Sequence, residues 1–596
     1  MRNNTIRRWI SALCCLVLLM SMIACTVVPD GGEESSVGTK PETETQTDTA
    51  VTTDTSANGT EVPPEDVPGD KGVTFLKSDL SKFKIVYARG SSDAVVAAAE
   101  ELSSFIKTMY GVQPEVGNDL VVPGSSVYSE SEYEILLGQA NRTASNSFNA
   151  VLRQDDYGYT CYGTKIVISG WDDYTFQKAI DNFSTQVLMY KKSDDRLFCS
   201  EWAKLVVGTY DIDTFKLNGT DISNYRIVYP ANGTLFEDEL AAKLQLAIAD
   251  TSGYVLSVVT DATKADGTPE ILVGATARTV ADRNMVAQTG YVVGTGVTVS
   301  LYGSTATGVG EAVKGFLSCM EGNVTNKTCT LNFTSRQAFA LDRTTVSSMS
   351  FNVLTTPMTD ERNDRVISTI TRYLPDTFGV QEANPTWMKV LPSRLGEYYD
   401  YVGTGTQGGS KGNEHVAIFY NKERFKLIKG KTYWLTDTPE VNSVLPGSDW
   451  PRVYTYVILQ DKVTGEKFMH LNTHFDTNES VQMKNAQLVM EFLKDYNDLP
   501  VLISGDLNSL PTSEQMQYLF SKGFIWAVDA LGLTSYPPTF YYKPVTCDYV
   551  LATNDCLEIL DYIVDNQRIH GDFASDHFAV TIKFRFRGVG KINHGW

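Results

Sequence analysis

Leu499-Pro500-Val501-Leu502-Ile503-Ser504-Gly505-Asp506-Leu507-Asn508-Ser509 is an apolar run that closes on an acid and an amide two positions apart. From Leu499 to Leu507 it reads as a buried strand. Side chains in a strand alternate faces, so Asp506 and Asn508 are expected on one side, roughly 7 Å apart, where one phosphate or one metal-bound water could touch both. The same letters also fit a strand that simply runs into an Asn/Ser-rich turn. The rest of the chain has to decide between these readings.

Working outward, the apolar periodicity after Val346 is that of many strands: Val346 to Leu354, Thr377 to Gln381, Val416 to Tyr420, Tyr454 to Gln460, Lys467 to His474, Pro500 to Asn508, Cys547 to Ala552 and Phe578 to Phe584. Two helices are expected, Glu361 to Leu374 capped by Asp360, and Gln482 to Tyr496. Polar residues sit at the strand ends, where burial is costly without partners. In order they are Asn352 in Ser350-Phe351-Asn352, Glu382 in Val380-Gln381-Glu382-Ala383, His474 in Leu471-Asn472-Thr473-His474-Phe475, Asp506 with Asn508, Asp548 in Cys547-Asp548-Tyr549-Val550, and Asp576-His577 in Ser575-Asp576-His577-Phe578. One strand-end acid is unremarkable, whereas a series of six such motifs calls for a common site.

This series resembles the endonuclease/exonuclease/phosphatase superfamily, the DNase-like metal-dependent phosphoesterases. Tyr433 to Glu440 and Pro451-Arg452 extend the likeness, which covers residues 344–588. The resemblance implies an α/β fold: a C-terminal four-layer α/β sandwich, two packed sheets flanked by helices. It also implies a divalent cation, Mg²⁺ or Mn²⁺ with Ca²⁺ as an alternative. The chemistry agrees, because hydrolysis of a phosphate ester builds negative charge that a hard cation with oxygen ligands stabilises. By resemblance, Glu382, Asn352 and Asp576 hold the metal, and Asp506 orients or deprotonates the attacking water while Asn508 supports the developing phosphorane. His474 and His577 bind phosphate oxygens and share acid/base work, since their pKa lies near working pH. Asp548 and Asp576 hold histidine tautomers or assist the metal, and Arg452 stands where relatives have an arginine near the phosphate.

Other residues are assigned elsewhere. His470 lies four residues from His474, roughly 13 Å along a regular strand, and reads as packing. His415, His570 and His594 have no motif around them and are expected on the surface or in loops. Trp434, Tyr536, Phe540, Tyr541 and Tyr542 either line a substrate groove or pack in the core. Many relatives carry a further Asp-His pair and an Arg after the Asn-Thr-His motif; here Thr477 follows Asp476 and Lys484 is the nearest base.

Upstream, the chain repeats itself. Phe83-Lys84-Ile85-Val86-Tyr87 corresponds to Tyr225-Arg226-Ile227-Val228-Tyr229, and Glu134-Ile135-Leu136-Leu137-Gly138 with Arg142 to Glu270-Ile271-Leu272-Val273-Gly274 with Arg278. Two tandem small β-α-β-β-β-α units are expected, residues 73–205 and 206–335, with crossover helices joining parallel strands. They resemble the small α/β domains found beside catalytic domains in exported bacterial enzymes. All six histidines lie at or after His415, so the repeats read as scaffold or as weak glycan-binding modules.

Residues 1–25 carry Arg2, Arg7 and Arg8 before an apolar run too short to span a membrane comfortably, as an export signal does. Ser21-Met22-Ile23-Ala24-Cys25 resembles a bacterial lipoprotein box with Cys25 lipidated, which implies an extracytoplasmic protein anchored to a membrane; simple secretion is the alternative. Residues 26–72, with 11 acids against Lys40 and Lys71, read as a solvated tether. The six later cysteines fall two per unit and suit either local disulfides or thiols. Residues 346–588 hold 22 Lys/Arg and 29 Asp/Glu, a net charge of −7, which disfavours tight duplex binding and leaves small phosphate esters, phospholipid headgroups and nucleotides as substrates. The expected function is a surface-anchored metal-dependent phosphoesterase; a glycan-binding lipoprotein with a passenger C-terminal domain is the rival. A glycosidase finds no isolated carboxylate pair.

Overall fold

The computed structural model describes residues 72–596 apart from 127, 190–195, 201–202, 280–283, 408–412, 449 and 589. The expected signal, Cys25 and the tether up to residue 71 lie outside the described residues. Gly72, expected to end the tether, instead starts the strand Gly72–Leu76, which pairs antiparallel with Arg196–Ser200. Among the described residues no helix is long and apolar enough to cross a membrane.

Each upstream unit is built on a six-stranded mixed sheet with helices packed on it. The first has the strand order Glu115–Asn118, Lys84–Tyr87, Glu134–Leu137, Lys165–Gly170, Tyr157–Tyr162, Lys204–Val206. The second repeats it as Ser257–Thr260, Arg226–Tyr229, Glu270–Val273, Thr298–Tyr302, Thr289–Thr295, Gln337–Ala340. The strand after each crossover helix was not part of the expected unit, and the last strand of the first sheet runs past residue 205 while that of the second lies beyond residue 335. The recurring Glu…Arg letters are a buried ion pair: Arg142 Nε meets Glu134 at 3.0 Å, and Arg278 meets Glu270 at 2.8 Å. Burial of these acids beside guanidinium groups is structural, because either partner alone would be a desolvated charge.

The C-terminal part contains two further six-stranded sheets. Its strands are β1 Val346–Asn352, β2 Thr377–Ala383, β3 Tyr399–Val402, β4 His415–Asn421, β5 Phe425–Trp434, β6 Val453–Asp461, β7 Lys467–His474, β8 Val501–Asp506, β9 Phe524–Ile525, β10 Asp548–Thr553, β11 Leu557–Asp565 and β12 Ala579–Phe586. One sheet has the order β3-β4-β2-β1-β12-β11 and the other β5-β6-β7-β8-β10-β9. In each, a central parallel pair, β1 with β2 and β7 with β8, is flanked by an antiparallel neighbour on the β12 or β10 side. The inner faces pack β1 on β8 and β10, and β2 and β4 on β7. Helices α1 Asp360–Tyr373 and α2 Trp387–Leu395 belong with the first sheet, and α3 Glu479–Leu493 and α4 Glu514–Ser521 with the second, which makes the four-layer sandwich.

The cap of α1 is Thr359, whose side chain accepts from the Arg362 amide at 3.2 Å, and not Asp360, which is the first helical residue. Strands β3, β5, β9 and β11 and helices α2 and α4 add to the elements expected from the apolar periodicity. Cys319, Cys329, Cys547 and Cys556 are thiols.

The second repeat shares one continuous core with the first sheet's outer layer. Helix Glu237–Ser252 packs against α1, and Phe236 and Leu240 join Leu374, Tyr398 and Val366 in a single buried cluster. Phe236 N donates to the Glu397 carboxylate at 2.6 Å, and Glu423 accepts from Ala306 N and Thr307 N at 3.1 and 3.3 Å, capping helix Ala306–Gly322 with a negative charge. Residues 344–588 alone should therefore be less stable than residues 206–588. Exposing side chains such as Tyr398 and Leu374 costs ~1.5–3 kcal/mol each, which corresponds to a Tm lower by about 5 °C or more in a thermal melt.

Candidate active site

The register of the second sheet brings three of the expected residues side by side. His474 ends β7 opposite Asp506 at the end of β8, and Asp506 lies opposite Asp548 at the start of β10. Gly505 makes this close approach feasible, because a Cβ there would sit 2.1 Å from the Thr473 carbonyl oxygen. Asp506 and Asp548 are both buried, and Asp548 is fully so.

His577 answers that concentration of negative charge. Its Nδ1 lies 2.9 Å from Asp548 Oδ2 and its Nε2 3.7 Å from Asp506 Oδ2. Burial works against its protonation, but Asp548 and Asp506 overcome it and carry its pKa up to about 10. Asp506 is pushed up from the usual carboxylate range by burial and then by Asp548, with His577 opposing. His474 behaves oppositely: burial, then the charges of Arg452 and His577, hold it well below the ordinary imidazole value. Its Nε2 is 3.5 Å from Asp506 Oδ2 and its Nδ1 is buried without a hydrogen-bond partner among the described residues. The two histidines thus differ in charge, His577 protonated and His474 neutral.

Across the seam from the first sheet come Asn352 and Glu382. Asn352 Nδ2 donates to Glu382 Oε1 and to Asp506 Oδ2, each at 3.1 Å, so one amide ties the two sheets together. Glu382 sits in the left-handed region, φ 57°, beside a register shift in the pairing of β2 with β4. A non-glycine residue there stores roughly 1–3 kcal/mol of strain, and bulges of this kind re-aim side chains at functional sites. Thr355 N and Oγ1 donate to Glu382 Oε2 at 3.2 and 3.3 Å. Asp576, half-buried, is raised by burial, with His577 pulling it down and Glu382 pushing it further up.

The remaining residues divide. Asn508 is not on the strand face as expected: the strand ends at Asp506, Asn508 adopts φ 47°, and its amide N closes back on Asp506 Oδ1 at 2.9 Å. Its Nδ2 donates to Phe475 O at 3.0 Å. It therefore orients Asp506 through its backbone and borders the neighbouring cavity, of about 200 Å³, with Ser509, Leu510, Phe540, Lys543, Val545, Cys547 and His577. Arg452 Nε lies 3.7 Å from Asp476 and has no hydrogen-bond partner among the described residues. Phe540 packs on the His577 ring at 4.8 Å, with exposed Tyr542 and Tyr541 next to it; Trp434 and Tyr536 are tied to Thr406 O and Trp526 instead.

His470 is packing, as expected, with its ring nitrogens at 2.9 and 2.8 Å from the hydroxyls of Thr377 and Ser504. His415 is not a surface residue: it begins β4, is buried, and its Nδ1 lies 3.1 Å from Ala383 O at the bulge. His594 lies in a loop but is nearly enclosed, 2.8 Å from both Asp555 and Leu499 O. His570 is an exposed loop residue.

Several contributors escaped the sequence. Thr539 Oγ1 donates to Asp548 Oδ2 at 2.7 Å, and Glu414 is a half-buried carboxylate raised by burial and by Glu382. Their only sequence signal is a lone threonine in a loop and an acid before a strand.

The donor set suits a hard cation on one side only. Asp506, Cys547, Asp548 and His577 place ligand atoms within 4.8 Å of one another, but Asp548 Oδ2 and His577 Nδ1 already satisfy each other and burial keeps the Cys547 thiol protonated. Glu382 and Asp576 form the alternative, two carboxylates near enough for Glu382 to raise Asp576, with Asn352 beside them; the Asn352 Nδ2 faces Glu382 and its Oδ1 accepts from Leu354 N at 3.0 Å.

Residues 349–577 match the model of the Endonuclease/Exonuclease/phosphatase family. The C-terminal domain belongs to that family. Among solved structures, this endonuclease/exonuclease/phosphatase domain is similar to a family member from Bacteroides vulgatus (22% identity, 41% of this chain and 100% of that one, TM-score 0.38). It is also similar to a mannosyl-6-phosphatase from Bacteroides thetaiotaomicron (24% identity, 40% and 100%, TM-score 0.36) and to the human nocturnin catalytic domain with bound sulfate (21% identity, 41% and 96%, TM-score 0.36). An uncharacterized protein of Acanthamoeba polyphaga mimivirus is 28% identical over 165 residues; the match covers 25% of this chain and 59% of that relative's length.

In metal-free protein, Asp548→Asn should lower the His577 pKa from about 10 toward its ordinary value, read by NMR titration of the imidazole. Because the folded-state pKa is raised, the stabilisation from this pair is complete below about pH 6.5 and lost as pH rises through the folded value. The Tm difference between wild type and Asp548→Asn should accordingly shrink across that window.

Proposed function

We propose that this protein is an exported, surface-anchored, divalent-metal-dependent phosphoesterase that hydrolyses a phosphodiester or phosphomonoester. The observation that carries the reading is Asp506, held from one side by Asn352 and from the other by the Asn508 amide, within 3.7 Å of a protonated His577 that Asp548 orients. Such a carboxylate is placed to take a proton from an attacking water, and its raised pKa matches it to that role near neutral pH.

His577 Nε2 presents a proton to a phosphoryl or leaving-group oxygen, with Asp548 stabilising the imidazolium and fixing which nitrogen faces the substrate. His474, kept neutral, is left to hydrogen-bond an oxygen of the phosphate. Arg452 adds positive charge nearby, which suits it to steering an anionic group. Glu382, Asn352 and Asp576 would hold Mg²⁺, Mn²⁺ or Ca²⁺. That cation supplies charge neutralisation for the phosphate and its transition state. Cys25 would carry the lipid anchor, and the tandem units would hold the domain clear of the membrane or contact glycans weakly.

Hydrolysis of bis-p-nitrophenyl phosphate and p-nitrophenyl phosphate should require a divalent cation, stop with EDTA and return with Mg²⁺ or Mn²⁺. Asp506→Ala and His577→Ala should each lower kcat by about 10²–10⁴ while leaving the protein folded. Activity that persists through EDTA and both substitutions would overturn the reading. Membrane fractionation of wild type against Cys25→Ser tests the anchor.

A further inference from the structure

Arg362 lies on α1, one layer behind the site, and is buried to 5% exposure. All the side-chain hydrogen bonds described for it go to main-chain carbonyls. Nε donates to Ala574 O at 3.0 Å, Nη1 to Pro357 O at 2.6 Å, and Nη2 to Leu354 O at 2.9 Å and to Val353 O. Three of these carbonyls belong to the loop that leaves Asn352, and the fourth immediately precedes Ser575-Asp576-His577. One planar fork therefore grips both segments.

The contrast with the other buried arginines is informative. Arg424 is matched by Asp376 and Asp461, Arg226 by Glu270, and Arg142 by Glu134, as a desolvated cation ordinarily requires. Arg362 instead directs its donors to loop carbonyls, and the acids that act most on its charge, Asp576 and Glu382, are residues of the site itself. Two further contacts reinforce the same segments. Ser575 Oγ donates to Asn352 O at 2.7 Å, and Trp387 Nε1 donates to Leu354 O at 3.0 Å with its ring 5.2 Å from the guanidinium. Leu354 has φ 54°, a left-handed conformation that needs such external support.

We propose that Arg362 is a positioning residue that clamps the loop after Asn352 to the segment before Asp576-His577, and so sets the spacing between the Asn352/Glu382 ligands and the Asp576-His577 pair. Because α1 also packs against helix Glu237–Ser252, the second repeat braces the helix that carries the clamp. The activity arm of the test rests on the phosphoesterase reading; the metal-binding arm does not.

In the full chain, Arg362→Lys keeps the charge but replaces a fork with a single ammonium that cannot reach all four carbonyls. It should leave Tm within about 5 °C of wild type. It should weaken Mn²⁺ binding, read by electron paramagnetic resonance, by roughly 10–100-fold and lower kcat by a similar factor, with KM changed less than about threefold. Trp387→Phe, which removes the Leu354 bond and keeps an aromatic ring in the core, should move the same quantities in the same direction by about threefold and serves where Arg362→Lys fails to fold. Folded Arg362→Lys with Mn²⁺ affinity and kcat within about twofold of wild type overturns the proposal, as does a loss of kcat that only tracks a lost folded fraction. Should wild type hydrolyse no phosphate ester, the Mn²⁺ arm still decides the role of Arg362.

Discussion

Two carboxylates, Asp506 and Asp548, lie opposite each other on neighbouring strands with almost no access to water. Their repulsion in a poorly screened interior has to be met by positive charge and hydrogen-bond donors, or at least one of them must be protonated. His577, Thr539, Asn352 and the Asn508 amide are the groups that meet it, and they come from four separate segments. The convergence of β8 and β10 with the His577 segment and with the end of β1 follows from that requirement. The same electrostatics separates the two histidines: the one facing both acids gains a proton, and the one buried near Arg452 loses it.

The surrounding architecture makes this arrangement rigid. Each sheet presents the end of its central parallel pair to the seam, with Asn352 from one sheet and His474 and Asp506 from the other. The Asn352 amide bonds across that seam to Asp506 while its other hydrogen bond holds Glu382 on its own sheet, so a shift of one sheet against the other would break the bond to Asp506. Behind the first sheet, Arg362 fastens two segments, one of which turns left-handed at Leu354, and the second repeat supports its helix through a shared apolar core. A module that began as a separate repeat in the sequence is, in packing terms, an outer layer of the catalytic domain.

Much of the site was legible because strand-end polar residues in apolar strings are conspicuous. Asn352, Glu382, His474, Asp506, Asp548, Asp576 and His577 stand in short strings whose letters carry both the strand and the site residue, and the structure gathers them at one seam. The contributors that stayed hidden lack such strings. Thr539 and Glu414 are single polar residues in loops or at a strand edge, and Arg362 is one of three arginines in a 14-residue helix, where only the packing direction tells a clamp from a solvated charge. His415 was misjudged for a related reason: it begins a strand whose burial on both faces depends on the neighbouring sheet.

The amino-acid sequence by itself determined the fold class, the duplication, and which segment ends carry acids and imidazoles, since hydrophobic period and strand-end polarity are local properties. It also paired Asp506 with Asn508, but for the wrong reason. Strand alternation would have put both side chains on one face; instead the chain turns left-handed at Asn508, and its backbone, not its side chain, serves Asp506. Which histidine holds a proton, which acids face each other and which arginine grips the loops were decided only by the tertiary structure. Each of these depends on distances between segments far apart in the chain, and electrostatic energy follows distance and burial rather than residue order.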